Sequence, residues 1–395
     1  MPNFAKFVAA LASAIFPSLA GDWNPRLAAA YLDAKQKSWL EWPVAKGPNG
    51  ACFSCHTGMT YLLARPALRR VLGESQPTAY ETAVLGDLRS RVDKREAKDI
   101  SRGFTKEPLA SQAVGVESVL SALFLAQDGA SPKAFDRLWS LQIRDGEAKG
   151  AWNWFSLKLD PFEMPEPQFY GASLAALAVG SAPERYQKRP EIRENIADLI
   201  AYLKREQATQ PLHKRLMLVW AATKLPEALP KAPRRTIVDE IWRLQPPDGG
   251  WTLQSLGPWK THETAPEVAG SNSYATAFAT LVLEKAGTGP ADPRLVKALG
   301  WLSSHQDAES GSWAASSMNK VFEPGSMQVD FMRDAATAFA SLALAEASQP
   351  PHPKNRPLNT RGPAQLNGAV HCYQFQFRSP TAQRNFSTSA CSTPL

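Results

Sequence analysis

Cysteine is scarce in this chain, four in 395 residues, and histidine nearly as scarce at six. So few cysteines exclude a small disulfide-stapled scaffold. Apolar runs are short as well. Beyond the N-terminal segment no stretch approaches the ~18 uninterrupted apolar residues that a spanning helix needs, so no membrane span is expected. Long runs of one charge are missing too. The formal net charge of +7 is spread over short mixed groups such as RVDKREAK, KRPEIRE and KAPRR. Such groups form solvated helix faces rather than a nucleic-acid-binding stripe, and no nucleic-acid partner is expected. What remains is ordinary globular composition, 44% hydrophobic and 21% charged, in a chain long enough for a large core.

The two ends differ from the middle. The start, MPNFAKFVAALASAIFPSLAG, has one lysine, an apolar stretch and then small residues. It reads as a secretory signal peptide over residues 1–21 and predicts an exported, periplasmic protein of bacterial type. Residues 348–395 are rich in Pro, Asn, Gln, Ser and Thr without a helical period, which predicts a disordered tail. Cys372, Cys391, His352 and His371 fall in it. Residues 22–347 are left as the folded body.

Two of the four cysteines stand three apart and are followed by histidine, in NGACFSCHTG. Cys-x-x-Cys-His is the pattern of covalent haem attachment, with two thioether cysteines and a histidine on the iron. In that reading Cys52 and Cys55 hold one haem c and His56 is the proximal ligand. Covalent attachment of such a haem outside the bacterial cytoplasm agrees with export. The competing readings are zinc, a redox dithiol, a bare structural role and chance. Zinc wants four ligands, and the body offers no second Cys or His pair at suitable spacing. A thioredoxin-like dithiol wants a βαβ context that is missing.

Between the ends one pattern recurs: a helix-like segment ending near Trp or Gln, a loop with Gly and Trp, then a helix of small residues. The plain copies are LWSLQIRDGEAKGAWNWFS with PQFYGASLAALAVG, IWRLQPPDGGWTLQS with SNSYATAFATLVLEKAG, and GWLSSHQDAESGSWAAS with VDFMRDAATAFASLALAEA. Apolar spacing of three and four fills in the rest. Helix pairs are predicted at 25–42 with 56–72, 78–98 with 111–127, 132–142 with 169–180, 190–206 with 211–223, 233–244 with 272–286, and 293–305 with 332–346. The fold class is therefore all-α, six helical hairpins in which small-residue second helices form an inner layer under amphipathic first helices. The Asp-Gly turn, the Gln amide and the Trp ring predict a structural role for the repeats, not a catalytic one.

The segments Gln142 to Trp152, QPPDGGW at 245–251, and Gln306 to Trp313 resemble the Gln-Trp repeats of the terpenoid cyclase and protein prenyltransferase superfamily, the squalene-hopene cyclase-like α/α toroids. The resemblance implies an (α/α)6 toroid. It does not carry the activity across. The Asp-x-Asp-Asp acid of protonating cyclases and the Asp, Cys and His zinc set of prenyltransferases are absent. The nearest acidic groupings, Asp160, Glu163 and Glu166, and Asp330 with Asp334, lack the paired carboxyls that keep one protonated. Asp330 and Asp334 share a helix face and read as a solvated first turn. A closer resemblance is to bacterial proteins that join this toroid to one Cys-x-x-Cys-His element, through CFSCHTGMTYLLARPALR, FYGASLAALAVG, QPLHKRLMLVWA and FMRDAATAFASLAL.

The motif is placed between the helices of the first hairpin, at the same end as the loops 143–168, 246–271 and 307–331. Haem there would cap an apolar interior. His213, His262, Met318 and Met327 are the candidate distal ligands; Tyr170, Tyr274 and Arg333, which begin inner helices, are candidates for the substrate pocket. The expected function is oxidation or electron transfer by a haem-dependent oxidoreductase, on an apolar small molecule of terpenoid or lipid type, with a redox partner protein. The alternatives are a squalene-hopene cyclase-like enzyme, an isomerase in which the cysteines are incidental, and a non-catalytic binding module.

Overall fold

Residues 23–126, 131–163, 166–259, 262–265 and 268–348 are described by a computed structural model. The expected signal peptide and the tail after Ser348, with Cys372, Cys391, His352 and His371, lie outside the described residues. The fold is all-α. All six expected hairpins are present: α1 (Pro25–Glu41) with α2 (Gly58–Leu72), α3 (Ala79–Arg91) with α4 (Leu109–Leu125), and α5 (Pro132–Ser140) with α6 (Gln168–Ser181). After a single turn, α7 (Glu184–Gln187), come α8 (Arg193–Glu206) with α9 (Leu212–Ala221), α10 (Lys231–Arg243) with α11 (Ser273–Lys285), and α12 (Pro293–Ser304) with α13 (Phe331–Ala347). Two short antiparallel strands, β1 (Lys46–Gly47) and β2 (Gly50–Ala51), interrupt the first hairpin. No described helix is long and apolar enough to cross a membrane.

The helix starts follow from their caps. Asn24, Ser131, Asn272 and Asp292 each accept backbone N–H bonds from the first turn they precede. Thr78 and Glu81 form a reciprocal capping box; such residues satisfy donors that the helix itself leaves open. Two boundaries differ from expectation. The segment expected as one helix over 78–98 stops at Arg91 and resumes as a 3-10 turn at Ala97–Asp99. The helix expected from residue 56 begins at Gly58, because His56 and Thr57 belong to the turn before it.

The inner helices are buried on every side, as α6 shows from Phe169 to Val179. Their alanines, serines and threonines let backbones come close. The outer helices bury one stripe: in α12 it is Leu295, Ala298, Leu299 and Leu302, the three-and-four spacing of an amphipathic helix. Inner neighbours follow the order α4, α6, α9, α11, α13, α2, and α13 also packs on α1.

Three connections from outer to inner helix are built alike. The Trp152, Trp251 and Trp313 indoles are fully buried and donate to the Leu138, Ile241 and Leu302 carbonyls at 2.7, 2.9 and 2.7 Å. Each ring thus closes the end of the outer helix before it. The Gln142, Gln245 and Gln306 amides each donate to two carbonyls: that of the glycine two residues before the Trp, and one at the start of the next outer helix. Those second acceptors are Asn195, Arg294 and Asn24, at 2.9, 3.1 and 3.0 Å. The third stitch therefore ties the α12 end to the α1 start. Gly150, Gly249 and Gly311 sit at φ of 95°, 94° and 73°, and a Cβ there would fall within 3 Å of the next outer helix. Only glycine meets both demands.

Candidate functional site

The connection from α1 to α2 has no such Trp stitch. Its backbone is fixed instead by polar side chains from α1 and α3. The Trp39 indole donates to the Cys52 carbonyl at 2.8 Å, and Cys52 N–H donates to the Ala45 carbonyl at 2.7 Å. The Asp87 carboxylate accepts from Ala51 N–H at 3.1 Å, and the Arg91 guanidinium donates to the Ala51 carbonyl at 2.7 Å. Arg91 is itself fully buried. Its charge is shared through Glu117, which it meets at 3.0 Å and which Arg137 meets at 3.1 Å. Removing one member would leave a buried charge uncompensated.

Cys52, Cys55 and His56 all line one cavity of about 300 Å³. Its wall is apolar and aromatic: Trp39, Trp42, Phe53, Phe104, Phe155 and Phe331 contribute. It is bounded by the α1–α2 connection, residues 100–104, α4, the loop before α6 and the α13 start. The expected company of loops is thus partly present: 143–168 and 307–331 reach this cavity, and Asn319 ties them together through Asp160 N–H and C=O, both at 2.9 Å. The 246–271 loop instead lines a larger cavity of about 450 Å³ with Met318 and Trp259. No cysteine or histidine lines that one.

His56 is held on several sides. Its ring stacks on Phe331, centroids 3.8 Å apart and 14° between planes, with the Trp39 edge at 6.4 Å. Nδ1 meets Ser54 Oγ at 2.8 Å, and that oxygen also accepts from Thr57 N–H at 3.0 Å. Nε2 has no hydrogen-bond partner among the described residues. Thr57 Oγ1 donates in turn to Asp334 Oδ2 at 2.8 Å, while the Tyr31 hydroxyl donates to Oδ1 at 2.9 Å. Asp334 is therefore buried beneath the motif and not, as expected, on a solvated turn. Burial pushes its carboxyl up to about 7. Asp330, on the expected face, pairs with Lys35 at 2.5 Å.

Burial also sets the charge states at the wall. It lowers His56 to about 3 and raises Cys52 to about 11, Arg91 partly opposing the latter. The Cys55 thiol is pushed up by burial first and by Glu163 second. Neutral thiols are poor metal ligands and poor nucleophiles, because the thiolate is the reactive form. Two cysteines three apart and an imidazole whose Nε2 is open on the same wall are the donor set that a thioether-linked, nitrogen-ligated haem would use. Among the described residues no three His, Cys, Asp or Glu side chains gather as a metal-holding cluster. One haem, if bound, would be held by Cys52, Cys55 and His56.

The other predicted residues separate. Met327 packs with Cys52 and Phe331 against Trp39. Met318 lies in the larger cavity. His262 keeps a buried Nε2 without a partner. His213 is fully buried among Phe162, Tyr170, Tyr274, Phe278 and Trp259, and its Nε2 meets the Tyr274 hydroxyl at 2.8 Å. Burial, with Lys214 alongside, lowers it to about 3. Tyr170 stacks on this histidine and also feels the charge of Cys55, so it is the predicted pocket residue nearest the motif electrostatically. Arg333 is partly exposed and meets Asp330 at 3.4 Å.

Phe331 escaped the sequence reading, which met Asp334 and Glu163 only as acidic groupings unlike a cyclase acid. Glu163 lines the cavity, and its Oε2 is buried without a partner. The chain matches no protein-family model, and no curated protein is similar to it.

Proposed function

We propose that the protein is exported, carries one haem bound covalently through Cys52 and Cys55 with His56 as proximal ligand, and acts in oxidation or electron transfer. The toroid belongs to this reading: the Gln306–Asn24 stitch and the packing of α13 on α1 and α2 support six hairpins closed into a ring. The observation that carries the reading is the gathering of both cysteines and the histidine on the wall of one aromatic cavity. Haem supplies one-electron exchange, or activation of an oxidant, according to what reaches the iron. The chain supplies a dry, apolar wall, a histidine oriented by Ser54 and Phe331, and two anchoring sulfurs. An apolar small molecule of terpenoid or lipid type is the substrate class such walls admit, and a redox protein is the partner class.

Apart from His56, no histidine or methionine among the described residues lines the cavity. The test uses protein made alongside a c-type haem maturation system. A Soret band that survives denaturation and acid–organic extraction is expected, and it should shift with carbon monoxide in the reduced form. Haem that extracts completely would overturn covalent attachment; a band that ignores both carbon monoxide and cyanide would leave electron transfer alone.

A further inference from the structure

The cavity wall contains one carboxyl that nothing satisfies. Glu163 lies in the loop before α6, where its N–H donates to the Leu159 carbonyl at 2.9 Å. This tight turn follows Lys158, a non-glycine residue held at φ 60°. Positive φ at such a residue is uncommon and persists only where the surroundings impose it. The turn sets Glu163 in the same wall as Cys55, close enough for its carboxylate to help hold the Cys55 thiol protonated. Its Oε2 is buried without a hydrogen bond. A buried polar group without a partner is costly, so its persistence asks for a role.

The other described titratable groups in or beside this wall are already committed. From the α1–α2 connection come Cys52, Cys55 and His56, assigned above to the haem. From α4 comes Glu117, neutralised by Arg91 and Arg137. Tyr170 on α6 is a buried phenol whose acidity burial suppresses. At the α13 end, Asp334 is held by Thr57 and Tyr31 and Asp330 by Lys35. Lys158 is exposed. Among the described groups at this wall, Glu163 keeps an oxygen with neither a cation nor a donor on it.

We propose that Glu163 is the proton-handling residue of this site, taking up a proton when the site takes up an electron and releasing it on oxidation. The inference rests on the haem reading. The electron comes from a one-electron donor protein, the proton from solvent, and the proton lands on a carboxylate oxygen of Glu163. The net charge of the dry cavity then stays constant through the redox cycle. Two features make Glu163 suited to this. Burial alone pushes its carboxyl up to about 7, so the proton is finely balanced near neutrality. An added negative charge in a low-dielectric wall favours the protonated form further.

The experiment measures the midpoint potential of the haem-loaded full-length protein on both sides of neutral pH. In the wild type the potential should fall as pH rises, by up to about 59 mV per tenfold drop in proton concentration for one electron. Glu163→Gln should flatten that slope, and Glu163→Asp should keep a slope in a displaced pH window. Reduced-minus-oxidised infrared spectra of the wild type provide a check that needs no variant, through a protonated-carboxyl band that appears on reduction. The same slope in Glu163→Gln, or a wild-type potential independent of pH with no carboxyl band, would overturn the inference while leaving the haem in place. Absence of covalent haem in the wild type, seen first by haem staining after denaturation, would remove the parent reading and this inference together.

Discussion

The joint after α5, α10 or α12 and the joint after α1 occupy equivalent places in their hairpins, yet they are built in opposite ways. In the first kind a buried tryptophan closes the outer helix, a glutamine reaches the next outer helix, and a glycine allows the close approach. In the second, Cys52, Cys55 and His56 stand where that filling would be, and a cavity of about 300 Å³ remains. Its backbone is secured from outside by Trp39, Asp87 and Arg91, and Gly50 is required because a Cβ there would strike the Asp87 carboxyl at 2.2 Å. One scaffold thus closes some joints with a tryptophan and leaves another lined by two cysteines and a histidine. Substitutions should separate along that line.

The largest effect is expected at a stitched joint. Trp251→Ala removes a fully buried ring and its bond to Ile241, and should lower unfolding free energy by about 3–5 kcal/mol in denaturant titrations. If that variant kept its stability but lost haem or ligand response, the division between the two kinds of joint would fail. Next comes Gln142→Ala, which leaves the buried Gly150 and Asn195 carbonyls without their donor. A loss of about 1–3 kcal/mol is expected, again without change in haem content.

The two regions should also differ in the sign of their pH dependence. His213, in the interior away from the motif, has its folded pKa lowered to about 3 by burial. The stability it contributes is complete above its ordinary value of 6.5 and is lost as pH falls from there toward 3. Asp334, beneath the motif, is raised to about 7; what it contributes is complete below its ordinary value of 3.8 and is lost as pH rises toward 7. Each slope is on the order of 1.4 kcal/mol per pH unit at most. Stability curves of His213→Gln should therefore flatten on the acid side. Those of Asp334→Asn should lose an opposing rise, and equal slopes of one sign in both would break the comparison.

Much of this was legible in the sequence for physical reasons. Apolar spacing and caps such as Asn24, Ser131 and Asp292 mark helix starts because both act locally. The Gln, Gly and Trp positions announced a structural joint, though not that each glutamine would reach across to the next outer helix. Cys52, Cys55 and His56 stood out because their spacing is itself the signal. Glu163 and Asp334 did not, since a lone carboxylate reads as solvated until long-range packing buries it. Phe331 was equally silent: nothing at position 331 shows that it would lie flat on a histidine 275 positions earlier.

The sharpest chemical effect is expected where no stitch is touched. Cys52→Ser with Cys55→Ser replaces two thiols, one half-buried and one buried, by hydroxyls, which costs about 1–3 kcal/mol between haem-free forms, and removes the anchors of the haem. The decisive measurement is the mass of the denatured chain, made alongside a c-type maturation system, for the wild type and this double variant. The wild type should carry the added mass of one haem on the fragment containing Cys52 and Cys55, and the folded double variant should carry none. A wild-type chain of unmodified mass, or a double variant that retains the haem, would contradict the account.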